Sequence, residues 1–276
     1  MNLLRRAALR GWVPPGVWKR LPPPVAVFSV PVNDGAFLYE AGAGDRWARR
    51  LYWRGLQDAE RYSLSAFARL APRAAVVVDV GAYGGLYTLV ACTVNRALRA
   101  HAFEPAPVTY GRLARNLELN DLDGRAASYQ TAVADTADTR EFVVPSHVMP
   151  PSARLARAKY RKPPEGHHLD VETVTLDEAV PEPLDLVKVD VEGAEHLVVE
   201  GMAGHLAASR PAIIIESLEG GDNNKVADTL SEYGYRFLLP CADGLVERPS
   251  LIPERDPASR NYLCVALDGF GGSFLP

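Results

Sequence analysis

The chain has 276 residues, of which 47% are hydrophobic and 23% charged, and its net charge is −4. This length and composition suit one large α/β domain with a sizeable core, with or without a small additional unit. The net charge argues against a general nucleic-acid or membrane-surface binder, and no stretch is apolar for the roughly 18 residues of a membrane span. The chain lacks the apolar core of a signal peptide, and its three cysteines lie far apart with no CxxC pair, which favours a reducing, cytoplasmic compartment.

The first 24 residues are basic, with two arginines beside leucines. They suit a weakly amphipathic surface helix or, more commonly for such a segment, a frayed or partner-packed terminus. Residues 25–40 predict two strands around a turn at residues 33–35, which is a good hairpin signal. We therefore predict an N-terminal extension over residues 1–57, made of a hairpin and a helix, that contacts substrate or a second subunit.

From residue 58 onwards, predicted strands and helices alternate, beginning with a helix from Asp58 to Leu70. The predicted strands are "AAVVVDV", "RAHAFEP", "ASYQTAVAD", "LDLVKVDVE", "PAIIIES", "YRFLLPC" and "NYLCVAL", with an edge-like pair around "TREFVV" and "DVETVTL". Continuous runs of Val and Ile indicate strands buried on both faces, so the fold class is a doubly wound α/β domain (residues 58–276) with a mainly parallel sheet. Residues 145–170 are rich in proline and basic residues and predict an irregular, lid-like loop.

Four of the predicted strands end in an acid, namely Asp79, Glu104, Asp190 and Glu216. Parallel strands share one carboxyl edge, and ligands bind beyond it, so we expect these carboxylates to gather around one crevice. Crowded carboxylates raise one another's pKa values unless a cation is present. Asp79 would repel the pyrophosphate of a dinucleotide but suits the ammonium group of an amino acid. The pattern predicts S-adenosylmethionine as the ligand.

The glycine-rich turn after the first strand supplies the other half of the predicted cofactor site. Gly81, Gly84 and Gly85 let the backbone approach a ligand closely. Glu104 follows Gly85 by 19 residues, where an acid accepts hydrogen bonds from ribose hydroxyls. Two structural alternatives stay open: Asp79 as a cap of the following helix, and Glu104 as an ordinary solvated strand end.

Three further residues are candidates to line the cofactor site. Tyr83 lies within the glycine turn and either contacts the cofactor or packs in the core. Ala132 and Val133, followed by Asp135 in "TAVAD", either flank the adenine or end an ordinary strand.

The motifs "VVVDVGAYGGLYTLVA", "AFEPAPVTYGRLARNLELN", "TAVAD", "LVKVDVEGAEHLVVEGM" and "PAIIIE" occur in this order and resemble those of the FkbM-type methyltransferases. The resemblance covers about residues 55–240. It implies a Rossmann-like class I methyltransferase that uses S-adenosylmethionine, usually to methylate hydroxyls of sugars and natural-product scaffolds. It places Asp79, Gly81 and Gly85 at the methionine part and Glu104 at the ribose.

Methyl transfer to oxygen requires alignment of the acceptor with the methyl group and removal of the hydroxyl proton. Asp190 is the first candidate for the base or for orienting the substrate, and Glu192 shares its side if the strand continues. A structural network between Lys188 and these acids is the alternative. A divalent metal held by Asp190 and Glu216 is a second alternative, not favoured because only two ligands are apparent.

Other ionisable residues receive a weaker functional interpretation. The segment "YWRGLQDAERYSL" resembles the one before the family's first strand, which puts Glu60 near the cofactor, although a first-turn helix charge explains it equally well. His147, His167 and His168 lie in or near the irregular loop, where a base or a solvated side chain are the alternatives.

The sequence thus predicts an O-methyltransferase of a small hydroxylated metabolite or sugar. An NAD-dependent oxidoreductase is disfavoured, because the turn does not read GxGxxG and because of Asp79. A non-catalytic S-adenosylmethionine-binding protein is the remaining alternative. The acceptor and the oligomeric state, including a homo-oligomer, stay open.

Overall fold

The computed structural model describes residues 2–18, 20–21, 27–41, 45–57, 60–145, 154–155 and 166–274. The helices are α1 (Asn2–Leu9), α2 (Pro15–Trp18), α3 (Arg46–Arg54), α4 (Arg61–Leu70), α5 (Leu86–Val94), α6 (Pro107–Glu118), α7 (Leu176–Ala179), α8 (Glu195–Glu200), α9 (Ala203–Ala208) and α10 (Asn223–Glu232). The strands are β1 (Val27–Val32), β2 (Gly35–Glu40), β3 (Val76–Val80), β4 (Arg99–Phe103), β5 (Ala126–Tyr129), β6 (Ala132–Val133), β7 (Asp138–Pro145), β8 (Arg154–Leu155), β9 (Gly166–Val174), β10 (Leu186–Val189), β11 (Ala212–Glu216), β12 (Tyr235–Cys241), β13 (Gly244–Arg248) and β14 (Asn261–Ala266).

The main sheet has the strand order β13-β12-β14-β11-β10-β3-β4-β5. Strands β11, β10, β3, β4 and β5 run parallel, whereas β14 is antiparallel to both β11 and β12. The chain moves from β3 outward to β5 and then returns to β10 on the other side of β3. Strand order therefore reverses between β3 and β10, and this is where an open α/β sheet binds its ligand. The predicted doubly wound, Rossmann-like fold is confirmed.

The central strands are buried on both faces, as their Val and Ile runs predict. Val77 packs with Phe67 of α4 and Leu89 of α5 in the core on one face of the sheet. Val78 packs on the other face, in a core that includes Val198 of α8. Because side chains alternate along a strand, Asp79 shares the face of Val77 and therefore points towards α5.

A smaller sheet of the described strands has the order β6-β9-β7-β8 and differs from the prediction in two ways. The segment "ASYQTAVAD" is not one strand, because β5 joins the main sheet whereas β6 pairs with β9. The predicted lid-like loop at 145–170 ends in strand rather than loop, since residues 166–170 pair with β7 along β9. Residues 146–153 and 156–165 of that prediction lie outside the described residues.

The N-terminal hairpin forms as predicted, with β1 and β2 paired antiparallel. Its second strand is held by two asparagines, Asn116 in α6 and Asn120 just after that helix. The Asn116 side chain accepts from the Glu40 N–H and donates to the Gly84 carbonyl, and Asn120 bonds both the N–H and the carbonyl of Leu38. These bonds dock the hairpin next to the glycine-rich turn. The predicted helix at Asp58 begins at Arg61, and residues 58–59 lie outside the described part.

Among the described residues, no helix is both long enough and apolar enough to cross a membrane. The thiols of Cys92, Cys241 and Cys264 are unpaired.

Gly81 is the glycine whose conformation the fold requires most directly. Its φ is +77°, and a Cβ there would overlap the carbonyl oxygen of Asp190 and lie 2.8 Å from the carbonyl carbon. We expect Gly81→Ala to lower the free energy of unfolding by about 2–4 kcal/mol, measured by urea denaturation. Gly111 is the matched control, because it lies in α6, where a Cβ would meet nothing within 4 Å. Gly111→Ala should raise stability by about 0.5–1 kcal/mol, and equal effects of the two substitutions would contradict this account.

Candidate active site

A cavity of about 330 Å³ opens at the carboxyl edges of β3, β4, β10 and β11. The acids that line it are Glu60, Asp79, Glu104, Asp190, Glu192 and Glu216, and the basic residues are Arg50, Lys188 and Arg260. The structure therefore brings together the four acids that end the predicted strands, and it adds Glu60 and Glu192 to them. This volume falls in the range of small-molecule sites.

Lys188 is a buried cation at the floor of the cavity, with a residue exposure of only 1%. Its Nζ donates to the Asp190 carboxylate at 3.1 Å and to the Asn261 side-chain oxygen at 2.7 Å, and it lies 5.2 Å from the centre of the Tyr87 ring. Burial opposes the charge, but the charges of Asp190 and then Glu60 raise its pKa above the usual value. Lys188 thus stays an ammonium and neutralises part of the surrounding negative charge.

Asp190, Glu192 and Glu216 each place one carboxyl oxygen within 4.8 Å of the others, so the structure groups three candidate metal ligands and not the two that the sequence made apparent. Glu192 reaches the group through a left-handed turn (φ 55°) after β10, and not by a continuation of the strand as predicted. Burial, and then the charges of Asp190 and Glu192, raise the pKa of Glu216 to about 11. Glu216 is therefore protonated at neutral pH and carries an O–H that it can donate.

Asp79 caps the helix that follows its strand and also lines the cavity. Its Oδ2 accepts from the Thr88 N–H at 3.1 Å and from the Thr88 hydroxyl at 2.8 Å, which caps α5 from the neighbouring strand. The same residue lines the cavity. Burial raises its pKa to about 6 despite the two bonds from Thr88. Both bonds end on Oδ2, so Oδ1 is the oxygen that is available to a ligand.

Glu104 is buried, so the alternative of a solvated strand end is wrong. Its Oε2 accepts from the Tyr83 N–H at 2.9 Å, and its Oε1 accepts from the Ala106 N–H at 3.0 Å and the Thr109 hydroxyl at 2.8 Å. A carboxylate has about four acceptor sites, so Glu104 keeps capacity for one further donor. The protein bonds fix the carboxylate at the cavity wall.

Glu60 lies at the start of α4 with a left-handed backbone (φ 63°) and makes no side-chain bond to cap that helix. Its carboxylate accepts from the Tyr87 hydroxyl at 2.8 Å and lines the cavity. Burial raises its pKa, and the charge of Lys188 lowers it. The interpretation of Glu60 as a plain helix-dipole charge therefore does not account for its position.

Only part of the glycine-rich turn lines the cavity. Gly81 and Tyr83 line the cavity, whereas Gly84 and Gly85 do not. A Cβ at Gly84 would overlap the Tyr39 hydroxyl, and one at Gly85 (φ +82°) would meet Leu113 at 2.7 Å. These two glycines admit neighbouring protein groups, and the cofactor contact of Gly85 stays a prediction.

One wall of the cavity is mainly apolar. Ala132 and Val133 line it, together with Phe103 and Phe142. Asp135 is not a lining residue and instead forms an ion pair with Arg140 at 2.6 Å. The apolar wall suits a flat aromatic group such as a purine.

The sequence predicted that residues 1–57 contact substrate or a second subunit, but it singled out none of the residues with which this segment, or the residue before β14, lines the cavity. Tyr39, Trp47, Arg50 and Arg260 line it, and the Arg50 guanidinium lies 5.2 Å from the centre of the Trp47 ring. Asn261 was missed as well, and it is held opposite Glu216 by the antiparallel register of β11 and β14. No local motif marks these residues. If the strand "NYLCVAL" had been paired with the strand "PAIIIE" in the predicted sheet, Asn261 would have been placed opposite Glu216.

The positions of His167 and His168 do not support a histidine as the base for the acceptor hydroxyl. His167 and His168 are exposed on β9 and do not line the cavity, and His168 pairs with Glu141 at 2.6 Å. His147 lies outside the described residues. Glu195 accepts from the N–H groups of Gly193 and Val191 and so shapes the turn that carries Glu192.

The raised pKa of Asp79 has a consequence for stability without ligand. A carboxyl group whose folded pKa is about 6, against 3.8 when unfolded, binds more protons in the folded state within this window. Its contribution to the free energy of unfolding therefore falls as pH rises from about 4 to 6, by about 1–3 kcal/mol. We expect Asp79→Asn, which keeps an acceptor for Thr88, to be more stable than wild type at pH 7 by that amount.

Urea denaturation at pH 5 and pH 7 measures this effect. The matched control is Asp135→Asn, because this carboxylate lies outside the cavity and its ion pair with Arg140 is partly exposed. The control should change stability by less than about 1 kcal/mol at either pH. A destabilised Asp79→Asn at pH 7 would show that the ionised carboxylate is not under strain.

Comparison with known proteins identifies the family of this chain. Residues 79–237 match the Methyltransferase FkbM domain. The hexuronic acid methyltransferase AglP of Haloferax volcanii is 30% identical over 184 residues, covering 65% of this chain and 69% of that protein. The 31-O-demethyl-FK506 methyltransferase FkbM of Streptomyces tacrolimicus is 29% identical over 155 residues, covering 46% of this chain and 59% of that protein.

Solved structures are more distant. The crystal structure of Methyltransferase FkbM from Methylobacillus flagellatus is 14% identical with a TM-score of 0.48, covering 68% of this chain and 42% of that chain. The domain match spans more than half of the sequence and contains the carboxylates of β3, β4, β10 and β11. The chain belongs to the FkbM family of methyltransferases.

Proposed function

We propose that this protein is an S-adenosylmethionine-dependent O-methyltransferase that acts on a hydroxyl of a sugar or natural-product small molecule. The observation that carries the proposal is the convergence of six acidic side chains and a buried lysine on one cavity. A positively charged ligand relieves the repulsion that this arrangement creates. The relatives named as a hexuronic acid methyltransferase and a 31-O-demethyl-FK506 methyltransferase support an oxygen-rich acceptor.

The residues of the cavity fit the cofactor in three places. Asp79 presents Oδ1 for the ammonium group of the methionine part, and Glu104 has acceptor capacity left for one ribose hydroxyl. The apolar wall that includes Ala132 and Val133 suits the adenine. When bound, S-adenosylmethionine supplies a methyl group on a positively charged sulfur, which is a good leaving group.

Asp190 is our candidate for accepting the proton of the acceptor hydroxyl. Its side chain is 25% exposed, and its Oδ2 is held by Lys188 at 3.1 Å. This bond fixes the carboxylate at the edge of β10, where it faces the cavity. Lys188 is a positioning residue in this scheme because it acts through Asp190.

Glu216 serves the same step from the neighbouring strand. Since its carboxyl is protonated at neutral pH, it is a hydrogen-bond donor and not a second base. An O–H beside Asp190 orients the acceptor oxygen or shares a proton with that carboxylate. Glu192 adds negative charge that keeps the pKa of Glu216 high. The cytoplasmic location and a homo-oligomeric state stay predictions.

The cofactor proposal is tested by calorimetry with S-adenosylmethionine, S-adenosylhomocysteine and NAD, each alone. We expect both sulfur compounds to bind and NAD to show no binding. Glu104→Gln should weaken binding of S-adenosylmethionine by about tenfold or more, because a charge-assisted bond contributes about 1.5–3 kcal/mol. Glu172→Gln is the control, since Glu172 is exposed on β9. NAD binding without binding of either sulfur compound would overturn the proposal.

The catalytic proposal is tested with Asp190→Asn. We expect turnover to fall about 10²–10⁴-fold, because a general base contributes that much, while the dissociation constant for S-adenosylmethionine changes little. The assay follows transfer of labelled methyl from S-adenosylmethionine to a panel of hydroxylated sugars and natural products. Thorough chelation with EDTA should leave wild-type turnover unchanged. Full activity of Asp190→Asn, or activity lost to EDTA and restored by Mg²⁺, would contradict the assignment of Asp190 as base.

A further inference from the structure

The charge of the chain is unevenly distributed along its length. Residues 1–73 contain 12 arginines and lysines and 5 acids, a net charge of +7, whereas the remaining 203 residues carry −11. The first 33 residues contain no acid at all. The overall charge of −4 thus conceals a strongly basic N-terminal segment, which also lies outside the matched FkbM domain. Such asymmetry is typical of chains that bind an anionic surface.

Helix α1 is anchored to the body by one face. The Arg5 guanidinium donates to the Tyr52 carbonyl at 3.1 Å and the Ser29 carbonyl at 2.6 Å, and it lies 4.4 Å from the centre of the Tyr52 ring. Ala8, one turn further on, is fully buried. These contacts exclude a frayed segment and leave the opposite face of the helix to solvent.

The exposed face of α1 combines apolar and basic side chains. Leu3, Arg6 and Arg10 follow at helical spacing on one side, and all are exposed. After α1 the chain turns through Gly11 (φ +76°), with a bond from the Trp12 N–H to the Ala7 carbonyl at 2.9 Å. This turn holds Trp12 outward, with its ring 5.2 Å from the Arg10 guanidinium.

The apolar side chains of this segment protrude rather than line a groove. Leu3 is 81% exposed, Trp12 71% and Val17 49%, although Val13 and Trp18 beside them are buried in the core. A protein partner would have to supply a pocket for each of these protruding side chains. A fluid lipid interface accommodates them without one, and Trp and Leu with arginines are the residues that interfacial helices use.

A basic groove of about 730 Å³ continues this face, because Leu9 at the end of α1 is one of its lining residues. Arg54, Arg61 and Arg69 also line it, and none of the described residues that line it carries a carboxylate. Three guanidinium groups beside an apolar segment suit the phosphate of a lipid headgroup.

We propose that α1, the turn at Gly11–Trp12 and α2 form a docking face for an anionic membrane surface, with Leu3, Trp12 and Val17 entering the interface and Arg6, Arg10 and the basic groove binding headgroup phosphates. This attachment is peripheral and leaves the cavity at the sheet edge to a different part of the molecule. It does not depend on the proposed methyl transfer.

The experiment is co-sedimentation of the full chain with phosphatidylcholine vesicles, with and without phosphatidylglycerol. We expect binding only to the anionic vesicles, weakened by raised salt, because the charge attraction is screened. Arg6→Glu/Arg10→Glu and Leu3→Ala/Trp12→Ala should each lower the partition coefficient by about tenfold or more. The control Val108→Ser/Leu267→Ala removes exposed apolar side chains elsewhere and should bind like wild type.

Circular dichroism verifies that each variant is folded, and the salt dependence of wild type tests the proposal independently of any variant. No binding to anionic vesicles would overturn it, and so would unchanged binding of both double variants. Equally tight binding to soluble polyglutamate, with no preference for vesicles, would show that the face recognises an acidic macromolecule and not a membrane.

Discussion

The ammonium group of Lys188 lies in a fully buried position between carboxylates, and the cavity depends on this arrangement. Parallel strands direct their carboxyl ends to one edge, so the parallel pairing of β10 with β11 brings Asp190 and Glu216 to the same edge of the sheet. Removing carboxylates from water is unfavourable, and grouping them adds repulsion. The buried ammonium offsets part of this cost and leaves an excess of negative charge that a cationic ligand can neutralise. Burial, and then the charges of Asp190 and Glu192, explain why Glu216 holds its proton, and burial is the main reason why the pKa of Asp79 is raised.

The protein places its acids by bonds that are structural as well as functional. Asp79 caps α5 through Thr88, and Glu104 bonds the N–H groups of Tyr83 and Ala106. Each carboxylate is thereby fixed before a ligand arrives, which reduces the conformational entropy that binding must remove. The left-handed turn at Glu192 stores backbone strain of about 1–3 kcal/mol in the same region. The repulsion between these carboxylates is what a bound cation would relieve.

Much of the fold and of the candidate site could be predicted from local sequence. The Val and Ile runs indicated the central strands, and an acid at the end of each run indicated a shared edge. The predictions that were wrong or absent concern residues whose positions depend on long-range packing. Glu192 reaches its neighbours through a turn and not along a strand. Asn261 lies opposite Glu216 through a strand register that one sequence does not reveal. Tyr39 lies on a hairpin strand whose position depends on the bonds of Asn116 and Asn120 to Glu40 and Leu38. The split between β5 and β6 likewise depends on pairing with β9.

The central claim is that the cavity holds negative charge in excess until a positive ligand enters. Titration calorimetry of S-adenosylmethionine at pH 6, in buffers of different ionisation enthalpy, measures the protons exchanged on binding. Because Asp79 is about half protonated at that pH, a cation beside it should release up to about half a proton per molecule. Binding with no proton release, or with proton uptake, would contradict the account.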